Sequence, residues 1–387
     1  MSKSLLNKKF KLRPGLSKDG IILLISVLFL AIFGVIMVYS ASSYSAKLYY
    51  NNSEYFLIKQ LMGVVVGTVF LAFMANFDYN KLEKFKWILL VIGIVLLILV
   101  FVPGIGVSNY GAKRWIRLPG FTIQSSEIAK FCFIIFSASY LSKNYDKVKT
   151  FKGIIPVLFV GGFICLLIML EPNMSITMCV GLTMISMLFV GGMRFKHFLI
   201  LLVPAVALVF LLIIIEPYRL DRLMAFINPW ASPKGEGYQL IQSLYSLGSG
   251  GLFGVGLFNS RQKYLFLPFS ESDFIFSIIG EEFGLFGSIF ILIIFFFVIV
   301  CGIRIGLRAK NRFGSYVAVG ISSIIAIQVL LNVAVVTGSI PPTGLPLPFI
   351  SAGSTALFVF LGVIGVLLNI DMQSQNIIKK HQITVKN

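Results

Sequence analysis

FIFSIIGEEFGLFGSIFILIIFFFVIVCGI, residues 274–303, carries only two charges, Glu281 and Glu282, among residues that are otherwise aromatic, aliphatic or small. A helix needs about 20 apolar residues to cross ~30 Å of hydrocarbon, so this stretch is long enough to span a membrane. Just before it, LPFSESD at 267–273 sets Glu271 and Asp273 at its entrance. Four of the chain's 15 acids therefore fall within residues 271–282.

The same apolar pattern recurs along the chain. Of 387 residues, 57% are hydrophobic, 12% are charged and 37 are Phe. A soluble domain has roughly 25% charged residues, so half the expected charge is missing. Apolar runs lie near 20–43, 55–77, 87–102, 126–142, 153–170, 174–192, 197–215, 274–303, 314–337 and 354–371. The expected architecture is an all-α integral membrane protein with about ten transmembrane helices. The first run is not a cleavable signal: it is long, ends in MVYSASSYSA, and later spans depend on its orientation. Residues 1–387 read as one polytopic membrane domain with tails 1–19 and 372–387, two long connections at 103–125 and 216–273, and no internal repeat.

Charge orients these spans. Twenty-two of the 33 Lys and Arg fall in the tails and the connections 78–86, 142–152, 193–197 and 304–312, against nine in the alternate set. The positive-inside rule then makes both termini cytoplasmic and 216–273 a large extracytoplasmic loop between helices 7 and 8. The net charge of +18 is distributed loop by loop, which argues against nucleic acid as partner. Cys132, Cys165, Cys179 and Cys301 lie in or beside spans without CxxC spacing, and the only histidines are His197 and His381. They read as packed thiols rather than as zinc ligands or disulfides.

Polar residues that hydropathy leaves unexplained crowd toward the outer side. An ionisable group at membrane depth costs about 2.5–3.5 kcal/mol on insertion scales and faces a partner or a wet cavity. In GAKRWIRLPGFTIQSSEIAKF, 111–131, Lys113, Arg114 and Arg117 surround Trp115, and Glu127 and Lys130 enter the next span on one helical side. Interfacial anchoring and a self-neutralising pair, with Ser125 or Ser126 as N-cap, explain this equally well. Glu171 and Asn173 bracket Pro172 in a short outward turn, and Lys59 is a lone cation for which Glu127 or Glu171 is an available partner. In the 216–273 loop, YQLIQSLYSL (238–247) suits a helix in the interface. Gly248, Gly250, Gly251, Gly254 and Gly256 are a weak phosphate signal that follows no strand, and Arg261 and Lys263 add two cations ahead of Asp273. Cations beside apolar walls suit an amphiphile such as a lipid-linked diphosphate. From these residues a transporter, a channel or a transferase would each fit, although a channel would spread its polar residues along several spans.

The stretch from Asn228 to Gly287, NPWASPKGEGYQ…SRQKYLFLPFSESDFIFSIIGEEFGLFG, resembles the signature of the SEDS family (shape, elongation, division and sporulation proteins), which includes FtsW, RodA and SpoVE. MVYSAS, GAKRWI with IQSSEIAK, and VVTGSIPPTGLPLPFISAGST at 335–355 resemble other family blocks in the family's order, over nearly the whole chain. The resemblance is to the FtsW and SpoVE branch more than to RodA. It implies a multi-pass protein of the bacterial cell membrane that polymerises lipid II into β-1,4 glycan strands at a division or spore septum. The implied partner is a class B penicillin-binding protein, a transpeptidase. No resident cofactor is implied, although a divalent cation, Mg²⁺ or Mn²⁺, suits a diphosphate.

Asp273 matches the family's essential aspartate and is expected to be the general base; its other reading is as a cap for the eighth span. Lys113 and Trp115 match family residues assigned to diphosphate contact and pocket shape, with Arg114 beside them. Glu127, Lys130, Lys59 and Glu171 are expected at the substrate site, and Arg261, Gln262 and Lys263 as donor-site contacts. Glu281 and Glu282 match paired family acids and are expected to make ion contacts between helices. The chain departs from the family in three places. It reads QSSE for the common QPSE, Phe269 and Glu271 stand where a glutamate and a histidine are usual, and Lys59 replaces an arginine. A flippase for the same lipid is the alternative, and it would not need Asp273.

Overall fold

Ser17 opens the first helix: its Oγ accepts the Gly20 amide at 3.1 Å, and Asp19 adds negative charge to the first turn. The computed structural model describes residues 15–109, 112–118, 121–215 and 217–386, a few of them by backbone alone. Helix α1 (Lys18–Tyr50) ends at Asn51, which takes the left-handed conformation at φ 53°. Helix α2 (Tyr55–Asn76) returns, and a short α3 (Asn80–Lys84) leads into α4 (Lys86–Leu99).

The 103–125 connection, expected as a loop, contains a small antiparallel sheet. Strands β1 (Gly106–Asn109), β2 (Ala112–Leu118) and β3 (Phe121–Gln124) pair in chain order, with Trp115 opposite both Val107 and Gln124. The sheet feeds directly into α5 (Ser125–Lys143), followed by α6 (Phe151–Leu170), α7 (Met174–Val190) and α8 (Phe195–Ile215). The long connection after α8 holds α9 (Pro217–Ile227) and α10 (Tyr238–Gly250), before α11 (Ile275–Leu307), α12 (Arg312–Val336) and α13 (Ser354–Lys386). Among the described residues, six helices are long and apolar enough to cross a membrane: α1, α2, α6, α11, α12 and the 354–375 part of α13. Helices α12 and α13 have the most buried spans of the six, and α5 packs on both.

Polar contacts sort the connections onto two ends. At one end Asp19 meets Arg308 at 2.6 Å and Arg304 at 3.5 Å, and Asp371 accepts the Ser17 amide at 2.8 Å, tying α1, α11 and α13 together. Asn80 joins Asn311 and Gln373 at the same end, and Glu83 meets Lys143 at 3.1 Å. The sheet, the 171–173 turn, Asp273 and the 337–353 connection lie at the other end, one helix length away.

Helix α11, expected as one continuous span, is broken at Gly284, where φ is 68° and ψ −165°. The backbone of 251–256 fills the break: Val255 N donates to Glu281 O, Gly256 N to Glu282 O, Leu285 N to Gly251 O and Phe286 N to Leu252 O. Gly254, at φ 82°, presses its Cα against the carbonyl of Glu282 where a side chain would overlap. The glycine run is therefore a backbone-packing device rather than a phosphate cradle. Helix α10 docks on α11 and α12. Ser243 Oγ pairs with Ser277 Oγ at 2.8 Å and reaches Val336 O at 2.7 Å, and Ser246 Oγ reaches Ser277 O at 2.9 Å.

Candidate active site

Asp273 lies half-buried one residue before Phe274, the N-cap of α11. Ser272 Oγ donates to Asp273 Oδ1 at 3.0 Å, and the backbone carbonyl of Asp273 accepts Asn332 Nδ2 at 2.8 Å. Gly344, at φ 70°, faces the other oxygen so closely that an added Cβ would stand 3.0 Å from Oδ2.

That glycine belongs to a proline-rich strap between α12 and α13. Ser351 Oγ accepts the Leu347 amide and donates to Ser272 O, each at 2.7 Å, and Ala352 N donates to Glu271 O at 2.8 Å. Gln60 of α2 reaches the carbonyl of Ser351 at 3.2 Å, and Thr355 Oγ1 reaches Thr122 O of β3 at 2.8 Å. The strap thus joins the acid-bearing loop, α2 and the sheet. Burial pushes the Glu271 carboxyl above its ordinary range and the Asp273 charge adds to this, while its own amide and Ser270 pull it down.

The sheet carries the outer cations. Lys113 is exposed on β2, and Trp115 is half-buried beside it. Arg114 turns toward the α6–α7 turn, where Nε donates to Glu171 O at 3.3 Å and Nη2 to Pro172 O. Ser125, expected as a helix cap, instead donates to Glu171 Oε1 at 2.9 Å, and Gln124 is the N-cap of α5. Glu171 is wholly buried, and that burial pushes its carboxyl up to about 8 against the opposing pull of Ser125 and Arg114.

The remaining sequence candidates divide between interior and surface. Glu127 and Lys130 meet at 2.8 Å with both side chains buried, and Lys130 Nζ also reaches Gln328 Oε1 at 3.0 Å. Lys59 is exposed and finds neither Glu127 nor Glu171. It reaches Tyr55 Oη, one turn back, at 2.5 Å and lies over that ring. Arg261 is exposed and Gln262 half-buried, whereas Lys263 is buried and paired with Glu282 at 3.1 Å. Among the described residues Glu281 makes no ion contact between helices. It accepts Ser260 Oγ at 2.5 Å, Arg261 N at 2.9 Å and Ser246 Oγ at 3.1 Å, and so organises the loop.

Gln60, Gln328, Asn332, Gly344 and Ser351 were not picked out from the sequence. Gln328 and Asn332 had a signal: two amides one helical turn apart inside the apolar SSIIAIQVLLNVAVV. Among the described residues no three His, Cys, Asp or Glu side chains gather as a metal cage.

A family model described as cell cycle protein, FtsW/RodA/SpoVE, matches residues 21–376. The stage V sporulation protein E of Bacillus subtilis is 42% identical over 361 residues, 93% of this chain and 98% of that protein. A probable peptidoglycan glycosyltransferase FtsW of Trichlorobacter lovleyi is 39% identical over 367 residues, 95% of each chain. Among solved structures, a chain of a peptidoglycan synthase complex described as coordinating polymerization and crosslinking superposes with a TM-score of 0.76 at 23% identity, covering 91% of this chain and 97% of that one. The rod shape determining protein RodA of Thermus thermophilus gives a TM-score of 0.65 at 21% identity, covering 90% and 95%. These two likenesses establish the shared fold.

Proposed function

The chain belongs to the FtsW/RodA/SpoVE family of cell cycle proteins, and from that premise we propose that it polymerises lipid II with Asp273 as general base. It is a multi-pass bacterial membrane protein and a peptidoglycan glycosyltransferase, as its relatives are named. Ten spans with both tails cytoplasmic would place Asp273, Lys113 and Trp115 outside. The positive excess on the tail-bearing end supports that orientation.

Lipid II carries its sugar α-linked to diphosphate, and glycan strands are β-linked, so a single in-line displacement with inversion connects them. The acceptor 4-hydroxyl attacks the anomeric carbon, the carbon–phosphate-oxygen bond breaks, and the hydroxyl proton passes to Asp273. A positioned base contributes about 10²–10⁴-fold in rate. In this reading Lys113 meets charge developing on the departing diphosphate, which stabilises the transition state more than the ground state. Trp115 shapes the adjoining wall. The synthase complex among the solved structures supports a transpeptidase of the class B penicillin-binding type as partner.

The observation that carries this reading is a half-buried carboxylate that accepts Ser272 Oγ and faces Gly344 of the strap, on a residue whose backbone carbonyl is held by Asn332. The test is polymerisation of purified lipid II in liposomes by the full chain with its partner transpeptidase, wild type beside Asp273→Asn. Loss of glycan chains with lipid II still bound is expected. Unchanged chains from the variant would remove Asp273 as the general base.

A further inference from the structure

Two buried amides on α12 connect groups otherwise separate in the sequence. Gln328, wholly buried, accepts Lys130 Nζ through Oε1 at 3.0 Å and donates through Nε2 to Pro346 O at 2.8 Å. One turn on, Asn332 spends its amide nitrogen on two carbonyls, Leu345 O at 2.6 Å and Asp273 O at 2.8 Å. The adjacent strap carbonyls of Leu345 and Pro346 are thus both held from one face of α12. Gly344, the residue before them, is the one set against Asp273 Oδ2.

Taking Asp273 as the base, we propose that Gln328 and Asn332 are positioning residues that fasten the Gly344–Leu347 strap and thereby aim the Asp273 carboxylate. The buried Glu127–Lys130 pair acts through Gln328 and does not meet substrate. Three features support this assignment. Glu127 and Lys130 are 0% and 1% exposed, so a ligand has no access to them. Lys130 fixes which way the Gln328 amide points, because an ammonium accepts nothing and must face the carbonyl oxygen. That leaves the NH₂ group for Pro346 O. The second tie is shared: Asn332 joins the strap and the acid-bearing loop directly, so displacing one displaces the other.

The proposal separates a positioning role from both a substrate contact and simple packing. Gln328→Glu keeps an oxygen for Lys130 but removes the donor to Pro346 O. Asn332→Leu removes both donors at similar volume. Polymerisation of lipid II by the full chain with its partner transpeptidase gives kcat and KM for each variant, and a melting temperature in detergent reports folding. Misplacing a catalytic group by 1 Å costs on the order of 100-fold. Gln328→Glu is therefore expected to lower kcat by ~10–100-fold, with KM within about threefold and the melting temperature nearly unchanged. Gly344→Ala displaces the same strap from its other side, so the double variant should lose less than the product of the two single losses.

If Asn332→Leu fails to fold, Gln328→Glu and the Gly344 cycle still decide. Loss of kcat only in step with melting temperature, or strictly multiplicative losses, would reduce the amides to packing and overturn the proposal, as would an increase confined to KM. Full kcat in Gln328→Glu beside a dead Asp273→Asn would overturn it while leaving the general base standing. Full activity in Asp273→Asn would overturn both.

Discussion

Lys263 Nζ stands 3.1 Å from Glu282 Oε1, with the two side chains 4% and 0% exposed. The same ammonium reaches Ser40 Oγ of α1 at 3.2 Å and Phe258 O at 2.6 Å. The cation expected to grip substrate is therefore committed to holding the outer loop onto α1 and α11. Removing one member of a buried pair leaves an uncompensated charge and costs about 3–5 kcal/mol. Lys263→Met should show a loss of that order in denaturant or thermal unfolding, and Lys263→Met with Glu282→Gln should recover most of it. A wild-type melting temperature in Lys263→Met, with binding alone impaired, would restore the donor-site role.

Gly344 presents a backbone test. Alanine at φ 70° pays about 1–2 kcal/mol for the left-handed conformation, and its methyl would press on Asp273 Oδ2. Gly344→Ala should cut polymerisation by ~10-fold or more while lipid II binding persists. Activity assays beside a binding isotherm check this, and equal loss in both would point to local collapse.

Glu171 gives a pH dependence with a definite sign. Its folded value of about 8 exceeds its ordinary carboxylate value, 4.5. The native state therefore holds a proton that the unfolded chain releases between those values. Stability from this group is fully present below about pH 4.5 and declines as pH rises toward 8. Glu171→Gln should flatten that slope in melting temperatures measured from pH 5 to pH 9. An unchanged slope would place the titration elsewhere.

Lys113 and Lys59 separate a ligand contact from an exposed helix-face cation. A hydrogen bond to a charged group is worth about 1.5–3 kcal/mol, so Lys113→Met should lower kcat/KM for lipid II by ~10-fold or more, with part of the loss in kcat. Lys59 already lies on Tyr55, and Lys59→Met should leave kcat/KM within about twofold. Steady-state kinetics on the two variants checks both, and the reverse ranking would move the diphosphate toward α2.

Apolar length and loop charge made most of the helices legible from sequence, because hydrocarbon imposes one period and one sign rule on every span. They did not reveal the break at Gly284, since broken and continuous apolar helices have the same composition. The sheet at 106–124 was hidden because three strands of four to seven residues in a charged loop lack a long alternating pattern. Asp273 was legible as an acid at a span entrance, and Lys113 as an outer cation. Lys263 was not, because a lysine's spacing does not say whether an acid such as Glu282 will fold against it. Gln328 and Asn332 were visible as amides in an apolar run, but their partners, the carbonyls of Pro346, Leu345 and Asp273, are backbone atoms that no side-chain pattern records.

The interruption at Gly284 leaves Ile275–Phe283 as a short rod whose first turn adjoins the carboxylate and whose last turn is gripped by 251–256 and, through Glu281 and Glu282, by 260–263. Its placement is therefore set by the 251–263 loop and the strap and not by the long segment anchored near Asp19. A displacement of α10 thus has a mechanical route to Asp273 through Ser243, Ser246 and Ser277 that does not pass through the long remainder of α11.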